Sequence, residues 1–137
     1  MNYYKATTKD YEYIQYLFNE NNTEFMNSKS VSIKDIEIKA EKGTIFYIIE
    51  NDNEKIGYFN IRLLGDTTAS FGIIIDSKHQ NQGYGQQAMK FMEHEAKKLG
   101  ATKVKFNVYA NNKKAIHVYK KFGCVEDHAE IVMIKKL

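Results

Sequence analysis

Residues 71–99 constrain this chain more than any other stretch. An apolar run, Phe71-Gly72-Ile73-Ile74-Ile75, passes through the polar Asp76-Ser77-Lys78-His79 into Gln80-Asn81-Gln82-Gly83-Tyr84-Gly85. An amphipathic segment follows and ends at Leu99-Gly100. The order reads as strand, glycine loop, helix. The helix carries Ala88, Met89, Phe91, Met92, Ala96 and Leu99 near helical spacing, with Lys90, Glu93, Lys97 and Lys98 on its other face. A further strand is expected at Lys103–Tyr109, with Val104, Phe106 and Val108 on one face. Two strands joined through a helix form a βαβ unit, and their pairing must be parallel.

A helix start leaves its first N–H groups without intrahelical partners, and the peptide dipoles add partial positive charge there. Together they suit a phosphate or pyrophosphate. Gly83 and Gly85 lack Cβ atoms, so the backbone can turn tightly, approach a ligand closely and form a concave nest of N–H groups. The pattern differs from two better-known loops. Ala88 stands where the dinucleotide fingerprint has its third glycine, and the P-loop's Gly-Lys-Ser/Thr is missing. Paired glycines are common, so the loop alone fits an ordinary strand-to-helix turn equally well.

The rest of the chain supplies an alternating series. A short strand is expected at Tyr3–Ala6. A helix capped by Thr8 or Asp10 is expected to run to about Asn19, with Tyr13, Ile14, Leu17 and Phe18 on one side. Residues 19–29 are polar and irregular. Ser32 reads as the N-cap of a second helix from Ile33 to about Lys42, stopped by Gly43. Three strands joined by turns at Asn51-Asp52-Asn53 and Gly65-Asp66 form an antiparallel meander over Thr44–Glu50, Lys55–Leu63 and Thr68–Ile75. Asn111 or Asn112 caps a short helix to about Phe122. The remainder, Cys124–Leu137, reads as two strands around Asp127-His128. No repeat, linker or low-complexity tract interrupts residues 1–137, so a single domain is expected. Proline is absent, and turns rest on Gly, Asn and Asp.

Composition narrows the class. At 137 residues and 43% hydrophobic, the chain can build one core and does not resemble a disordered segment. No run approaches the ~20 apolar residues of a membrane span, and Met1-Asn2-Tyr3-Tyr4-Lys5 lacks an apolar signal region. Cys124 is the single cysteine, which precludes an internal disulfide and reads as small buried filler. The expected location is cytoplasmic. Residues 1–70 carry 8 Lys and Arg against 11 Asp and Glu, whereas residues 71–137 carry 12 against 6. The basic half suits an anionic cofactor and the acidic half a cationic partner, although solvated surface explains both equally. Without a basic patch interleaved with aromatics, nucleic acid is not an expected partner. The four histidines show no metal-ligand spacing, so no metal is expected.

A second pattern lies downstream. Asn112, Ala115, Tyr119 and Gly123 follow one another at spacings 3, 4 and 4, and Cys124 comes next. With Gln80-x-x-Gly83-x-Gly85, this set resembles the GNAT N-acetyltransferase superfamily. The family's acyl-CoA loop reads Gln/Arg-x-x-Gly-x-Gly/Ala, and its second signature Asn-x-x-Ala-x-x-x-Tyr-x-x-x-Gly-Phe. Cys124 departs from the usual Phe. The strong resemblance covers Phe71–Cys124; the N-terminal half matches in element order only.

The resemblance implies an α+β (α/β/α) fold: a mixed, mostly antiparallel sheet with a central, splayed parallel pair of strands and flanking helices. It implies an acyltransferase that moves the acetyl group of acetyl-CoA, as cosubstrate, to a primary amine of a small molecule or peptide, by direct attack in a ternary complex. Acyl-CoA would contact Ile73, Ile74 and Ile75 at the strand end and Gln80, Asn81, Gln82, Gly83, Tyr84, Gly85 and Gln86 in the loop. Asn112 and Tyr119 would complete the set. A backbone N–H of Ile74 or Ile75 would steady the carbonyl oxygen as it gains charge. Tyr119 would be catalytic, protonating the departing thiolate. On spacing alone Tyr119 is equally a core residue on a stripe with Ala115 and Phe122, and Asn112 equally a plain helix cap.

No general base follows from the residues. Related acetyltransferases of ribosomal proteins carry a Glu five residues before the motif asparagine; Asn107 stands there and cannot serve. Asp76, Glu50, Glu54, Asp66 and His79 remain candidates beside a water-mediated route. Residues 19–30, 63–68 and 126–130 are expected to line the acceptor site, with Glu20, Glu24, Asp66 and Asp127 favouring a cation. The alternative to an enzyme is a non-catalytic module of the same fold that holds acyl-CoA without turnover. Pairing into a homodimer through the last strands is compatible with the pattern, and no membrane partner is expected.

Overall fold

The computed structural model describes residues 1–20, 31–65 and 67–137. It comprises two units, Met1–Phe106 and Asn107–Leu137. The first contains β1 (Asn2–Lys5), a 3-10 turn (Thr8–Asp10), α1 (Tyr11–Glu20), α2 (Ile33–Glu41), β2 (Ile45–Asn51), β3 (Glu54–Gly65), β4 (Thr68–Ile75), a second 3-10 turn (Ser77–His79), α3 (Tyr84–Lys98) and β5 (Lys103–Lys105). The second contains α4 (Lys113–Lys121). The class is α+β.

The five strands lie in the order β1-β2-β3-β4-β5. Pairing is antiparallel from β1 to β4 and parallel between β4 and β5. Both consequences of the sequence pattern are therefore present: a β2-β3-β4 meander joined by short turns, and a parallel pair bridged by α3. The register aligns Tyr4, Ile48, Tyr58 and Ile74 in one row across four strands. Because side chains alternate along a strand, this row shares one face. Ile14 and Leu17 of α1 and Ile36 of α2 pack there with Phe46, Ile48, Tyr58 and Ile74. Burying each large apolar side chain contributes about 1.5–3 kcal/mol.

The opposite face receives α3. Tyr3 packs at a tilt against Phe91 at 4.5 Å between ring centroids, and Tyr47 lies parallel to Phe59 at 4.6 Å. Ala88, Met89, Met92 and Ala96 of α3 are buried. Glu95 lies on the same buried side, accepting hydrogen bonds from the Tyr3 hydroxyl at 2.7 Å and the Tyr47 hydroxyl at 3.2 Å. Gly57 of β3 sits against β4 so closely that a Cβ would come within 2.5 Å of the Ile74 carbonyl oxygen. That contact brings the two strands together where β4 ends.

Four details differ from the sequence reading. Thr7, not Thr8 or Asp10, precedes the first helical turn, and Asp10 reaches back to accept the Thr7 N–H at 2.9 Å. Asp10 also binds the Lys55 ammonium at 3.0 Å, a partner that no local pattern announces. The strand expected at Lys103–Tyr109 is only Lys103–Lys105, since its ladder with β4 spans Thr68–Ser70. The two strands expected in Cys124–Leu137 are not formed among the described residues; a strand needs a ladder partner, and the second unit contains one helix. The irregular segment and the Gly65-Asp66 turn fall partly on residues 21–30 and Asp66, outside the described residues, as do Glu24 and Asp66 of the expected acceptor side.

Candidate functional site

The site begins where β4 stops. The Asp76 N–H donates to the Ile56 carbonyl at 2.8 Å, which makes Asp76 and Ile56 a hydrogen-bonded pair at the end of the β3–β4 ladder. Antiparallel pairing alternates, so Ile74 turns its backbone groups toward Tyr58 of β3, while Ile73 and Ile75 turn theirs to the other edge. That is the edge along which β5 pairs only at Thr68–Ser70. The β4 ladder therefore separates the two candidate backbone donors: Ile75 presents its N–H away from β3, and Ile74 does not. The Ile74 side chain is buried in the core, with Ile73 and Ile75 half-buried on either side.

A turn then reverses the chain. The buried Asp76 carboxylate accepts the Lys78 N–H at 3.0 Å, and the His79 N–H donates to the Asp76 carbonyl at 2.8 Å. Gln80 reaches back and donates its side-chain amide to the Ile75 carbonyl at 2.8 Å. The Gln82 amide similarly donates to the Lys78 carbonyl at 3.3 Å. These straps fix the loop to the strand end. The sequence pattern counts Gln80 among the loop contacts without this role; only the fold brings it to Ile75.

Asn81 and Gly83 adopt left-handed backbone, with φ +62° and +83°. Asn tolerates this region and Gly adopts it without penalty. Gly83 is the N-cap of α3, and no side chain caps that helix. Beyond its chain neighbours and the backbone of α3 itself, a Cβ on Gly83 or Gly85 would meet no described atom within 4 Å. Gln80, Asn81, Gln82 and Gly83 are exposed, Tyr84 and Gly85 half-buried, and Gln86 exposed. The Tyr84 hydroxyl accepts from the Asn51 amide at 3.1 Å, which pins the first turn of α3 to the end of β2. The first turn thus presents backbone N–H groups, a dipole end and open space, a combination that fits a pyrophosphate.

Titratable groups gather beside the same strand end. The Tyr13 hydroxyl is buried without a hydrogen-bond partner. Burial holds its pKa well above the ordinary phenol value, and the charges of Asp76, Glu20 and Glu54 push it further. His79 Nε2 lies 3.6 Å from a Glu54 oxygen, while its Nδ1 is buried without a partner. The Ser77 hydroxyl donates to Glu20. Among the proposed bases, Asp76 thus caps a turn and Glu54 approaches His79. Asp66 is outside the described residues.

Asn112 and Tyr119 belong to the second unit. The Asn112 side chain accepts the Ala115 N–H at 3.2 Å, so it is the N-cap of α4. Tyr119 is half-buried; burial, then the neighbouring Cys124 thiol, raise its pKa. The Cys124 N–H donates to the Tyr119 carbonyl at 2.9 Å and the Gly123 N–H to the Lys120 carbonyl at 3.0 Å, with Gly123 at φ +103°. This is a Schellman stop, and it accounts for the spacing between Tyr119 and Gly123.

A model of the acetyltransferase (GNAT) family matches residues 11–124. The chain belongs to the GNAT family. The match takes in the β4–α3 loop and runs to the end of the Schellman stop. Spermidine N(1)-acetyltransferase of Escherichia coli (strain K12) is 29% identical over 113 residues, which make up 80% of this chain and 59% of that protein. The chain therefore spans less than two thirds of that relative's length. Among solved structures, smu.2055 from Streptococcus mutans UA159 superposes with a TM-score of 0.81 at 24% identity, covering 90% of this chain and 82% of its own. An aminoglycoside antibiotic 6'-N-acetyltransferase from Acinetobacter haemolyticus gives 0.74 at 17% identity over 100% and 99%. These two likenesses establish the GNAT fold. Among the described residues no helix is long and apolar enough to cross a membrane, and no three His, Cys, Asp or Glu side chains converge as a metal site.

Proposed function

We propose that this GNAT protein transfers the acetyl group of acetyl-CoA to a primary amine of a small molecule or peptide. The observation that carries the reading is the start of α3. An uncapped helix N-terminus, opened by a left-handed Gly83, is strapped through Gln80 to the very strand end that offers the Ile75 N–H. Residues Gln82–Gly85 would hold the pyrophosphate, with Ile73–Ile75, Asn81, Tyr84, Gln86 and Asn112 along the rest of the cosubstrate.

In the reaction the neutral amine nitrogen attacks the thioester carbon. A C–N bond forms, the C–S bond breaks and the electron pair leaves with sulfur. The Ile75 N–H is the donor for the oxygen that gains charge. Its orientation favours it over Ile74. Tyr119 gives its proton to the thiolate, the attacking nitrogen loses a proton as the amide forms, and that proton returns through water to the Tyr119 phenolate. A phenol held above its ordinary pKa remains protonated at neutral pH, as an acid must. The carboxylates of Glu20, Glu54 and Asp76 around Tyr13 favour a cationic acceptor, consistent with the polyamine named for the relative from Escherichia coli.

The test is release of free thiol from acetyl-CoA across a panel of polyamines, aminoglycosides and peptides. Turnover with at least one amine is expected. Tight acetyl-CoA binding with no thiol released on any amine would make the protein a binding module instead. On the substrate so found, Tyr119→Phe should lower kcat by about 100-fold at neutral pH while leaving acetyl-CoA affinity nearly intact. Equal kcat would leave proton delivery to water and return Tyr119 to the core of α4.

A further inference from the structure

The turn between β2 and β3 lies against the loop that opens α3. Asp52 and Asn53 at its tip both take left-handed backbone, with φ +50° and +62°, as a two-residue hairpin turn that matches the strand twist requires. Beside the turn the ladder changes register. Ile49 pairs with Gly57 but Glu50 with Lys55, so Ile56 is passed over on the β2 side. Side chains of a strand point to opposite faces in turn, and a slip of one residue exchanges the faces. Without the slip Glu54 would share a face with Tyr58, toward α1 and α2. With it, Glu54 stands opposite Asn51, on the face of Tyr47 and Phe59 that receives α3. Lys55 moves the other way, meeting Asp10 at 3.0 Å and lying over the Tyr13 ring of α1. Re-aiming a side chain is what a bulge beside a functional site does.

Asn51 and Glu54 thereby reach the loop at its two ends. The Asn51 amide donates to the hydroxyl of Tyr84, the residue directly after Gly83, at 3.1 Å. A Glu54 oxygen stands 3.6 Å from Nε2 of His79, the residue directly before Gln80. The other ring nitrogen of His79 is buried, so the imidazole is seated inward with Glu54 at its outer edge. The His79 and Tyr84 rings lie 6.4 Å apart, which closes the loop at its base. Gln80, Asn81, Gln82 and Gly83 stand between these grips, and Asn81 and Gly83 hold left-handed backbone. A non-glycine residue persists in that region where its surroundings over-determine it. We propose that Asn51 and Glu54 are positioning residues: the bulged β2–β3 turn grips Tyr84 and His79 and holds residues 80–83 in the shape that receives the acetyl-CoA pyrophosphate. This role rests on the reading of α3's start as the cosubstrate site. A loop ordered before its ligand arrives loses less freedom on binding, so the grip acts on affinity and not on the chemical step.

Hydrogen exchange of the ligand-free chain and calorimetry with acetyl-CoA test the grip and its purpose separately. The His79 and Gln87 amides donate to the Asp76 and Gly83 carbonyls and so report the order of the loop. In Asn51→Ala both should exchange about fivefold faster at an unchanged melting temperature, and acetyl-CoA affinity should fall by about fivefold. Glu54→Gln, which weakens a longer contact at the surface, should lower affinity by about twofold. Tyr84→Phe keeps the ring and should match Asn51→Ala. The double variant Asn51→Ala/Tyr84→Phe should bind no more weakly than either single variant, because the two residues share one contact. On the amine found by thiol release, Asn51→Ala should raise the KM for acetyl-CoA and leave kcat unchanged. Acetyl-CoA affinity equal to that of the wild type in Asn51→Ala would overturn the proposal, as would losses that add in the double variant. A wild-type chain that binds no acetyl-CoA, with exchange still faster in Asn51→Ala, would overturn the cosubstrate reading while upholding the grip.

Discussion

The starts of α2 and α3 treat the same physical problem in opposite ways. Each must satisfy the backbone N–H groups that a helix leaves over. At α2 the chain does this itself: the Ser32 hydroxyl accepts the Asp35 N–H at 3.1 Å, and Asp35 returns to accept the Ser32 N–H at 2.9 Å. At α3 the N-cap is Gly83, which has no side chain, and no acidic residue lies in the first turn. The far ends of the two helices are alike. Gly43 and Gly100 both take positive φ, and the following residues, Thr44 and Ala101, donate back to Lys39 and Ala96 at 3.0 Å. Helix-ending is therefore handled uniformly, and the departure is confined to one start. Where a local rule is broken in an otherwise regular frame, the missing partner is best sought outside the chain. The difference supports the proposal that α3's first turn receives an anion, whereas α2's is satisfied by the chain itself.

The strongest way to break the comparison is to make Gly83 like any other residue. Gly83→Val forces a β-branched side chain into left-handed backbone, at about 1–2 kcal/mol, and sets bulk before the first-turn amides. Acetyl-CoA affinity, measured by calorimetry, should fall by about tenfold or more. Unchanged affinity in a protein that keeps its circular dichroism would remove the loop from the cosubstrate site. Gly83→Asn sharpens the point, because Asn tolerates φ > 0. It should keep more of the affinity than the Val variant.

Much of this was legible in the sequence because it is local. Ser32 and Gly43, and Asn112 as one of two candidates, act within three or four residues of themselves, so their neighbours announced them as caps and a stop. The meander and the parallel pair followed from turn residues and from periodicities of 2 and 3.6. What escaped depends on distant residues. The Gln80 strap requires Ile75 to be where the fold puts it, and Lys55 finds Asp10 across 45 positions. The short β5 reflects a ladder, not a propensity: Val104, Phe106 and Val108 alternate as a strand should, yet pairing stops at Lys105. Glu95 left a signal that could have been taken up. It lies between Met92 and Ala96 on the apolar stripe, and a charge there demands buried partners.

A smaller effect comes from the other side of the comparison. Ser32→Ala removes the hydroxyl from a capping box and should cost about 1 kcal/mol of stability. Chemical denaturation is the readout. Acetyl-CoA affinity should not change, because the lost partner is the chain's own. A drop in affinity comparable to that of Gly83→Val would mean that the two helix starts are coupled and that their contrast has another origin.

The smallest expected effect concerns a polar group that α3 keeps fully satisfied, in contrast to its open start. Burial pushes the Glu95 carboxyl up, but the Tyr3 hydroxyl, the Lys98 ammonium and the Tyr47 hydroxyl outweigh this and leave its pKa below the ordinary value. A depressed carboxyl contributes stability above its unfolded pKa, and that contribution is lost as pH falls through the folded value. The phenols respond in the other direction: burial, with Glu95 beside them, raises Tyr3 and Tyr47 to about 12. Their contribution is present below the ordinary phenol pKa and disappears as pH climbs through about 12. Glu95→Gln keeps an acceptor for Tyr3 but removes the charge. It should cost about 0.5–1 kcal/mol at neutral pH. It should also flatten the acid limb of the stability curve and lower the ionisation of both phenols part of the way, as read by ultraviolet absorbance, because burial, the larger cause, remains. An unaltered acid limb would mean that Glu95 titrates as an exposed carboxyl would. The inner face of α3 would then be no better satisfied than its start.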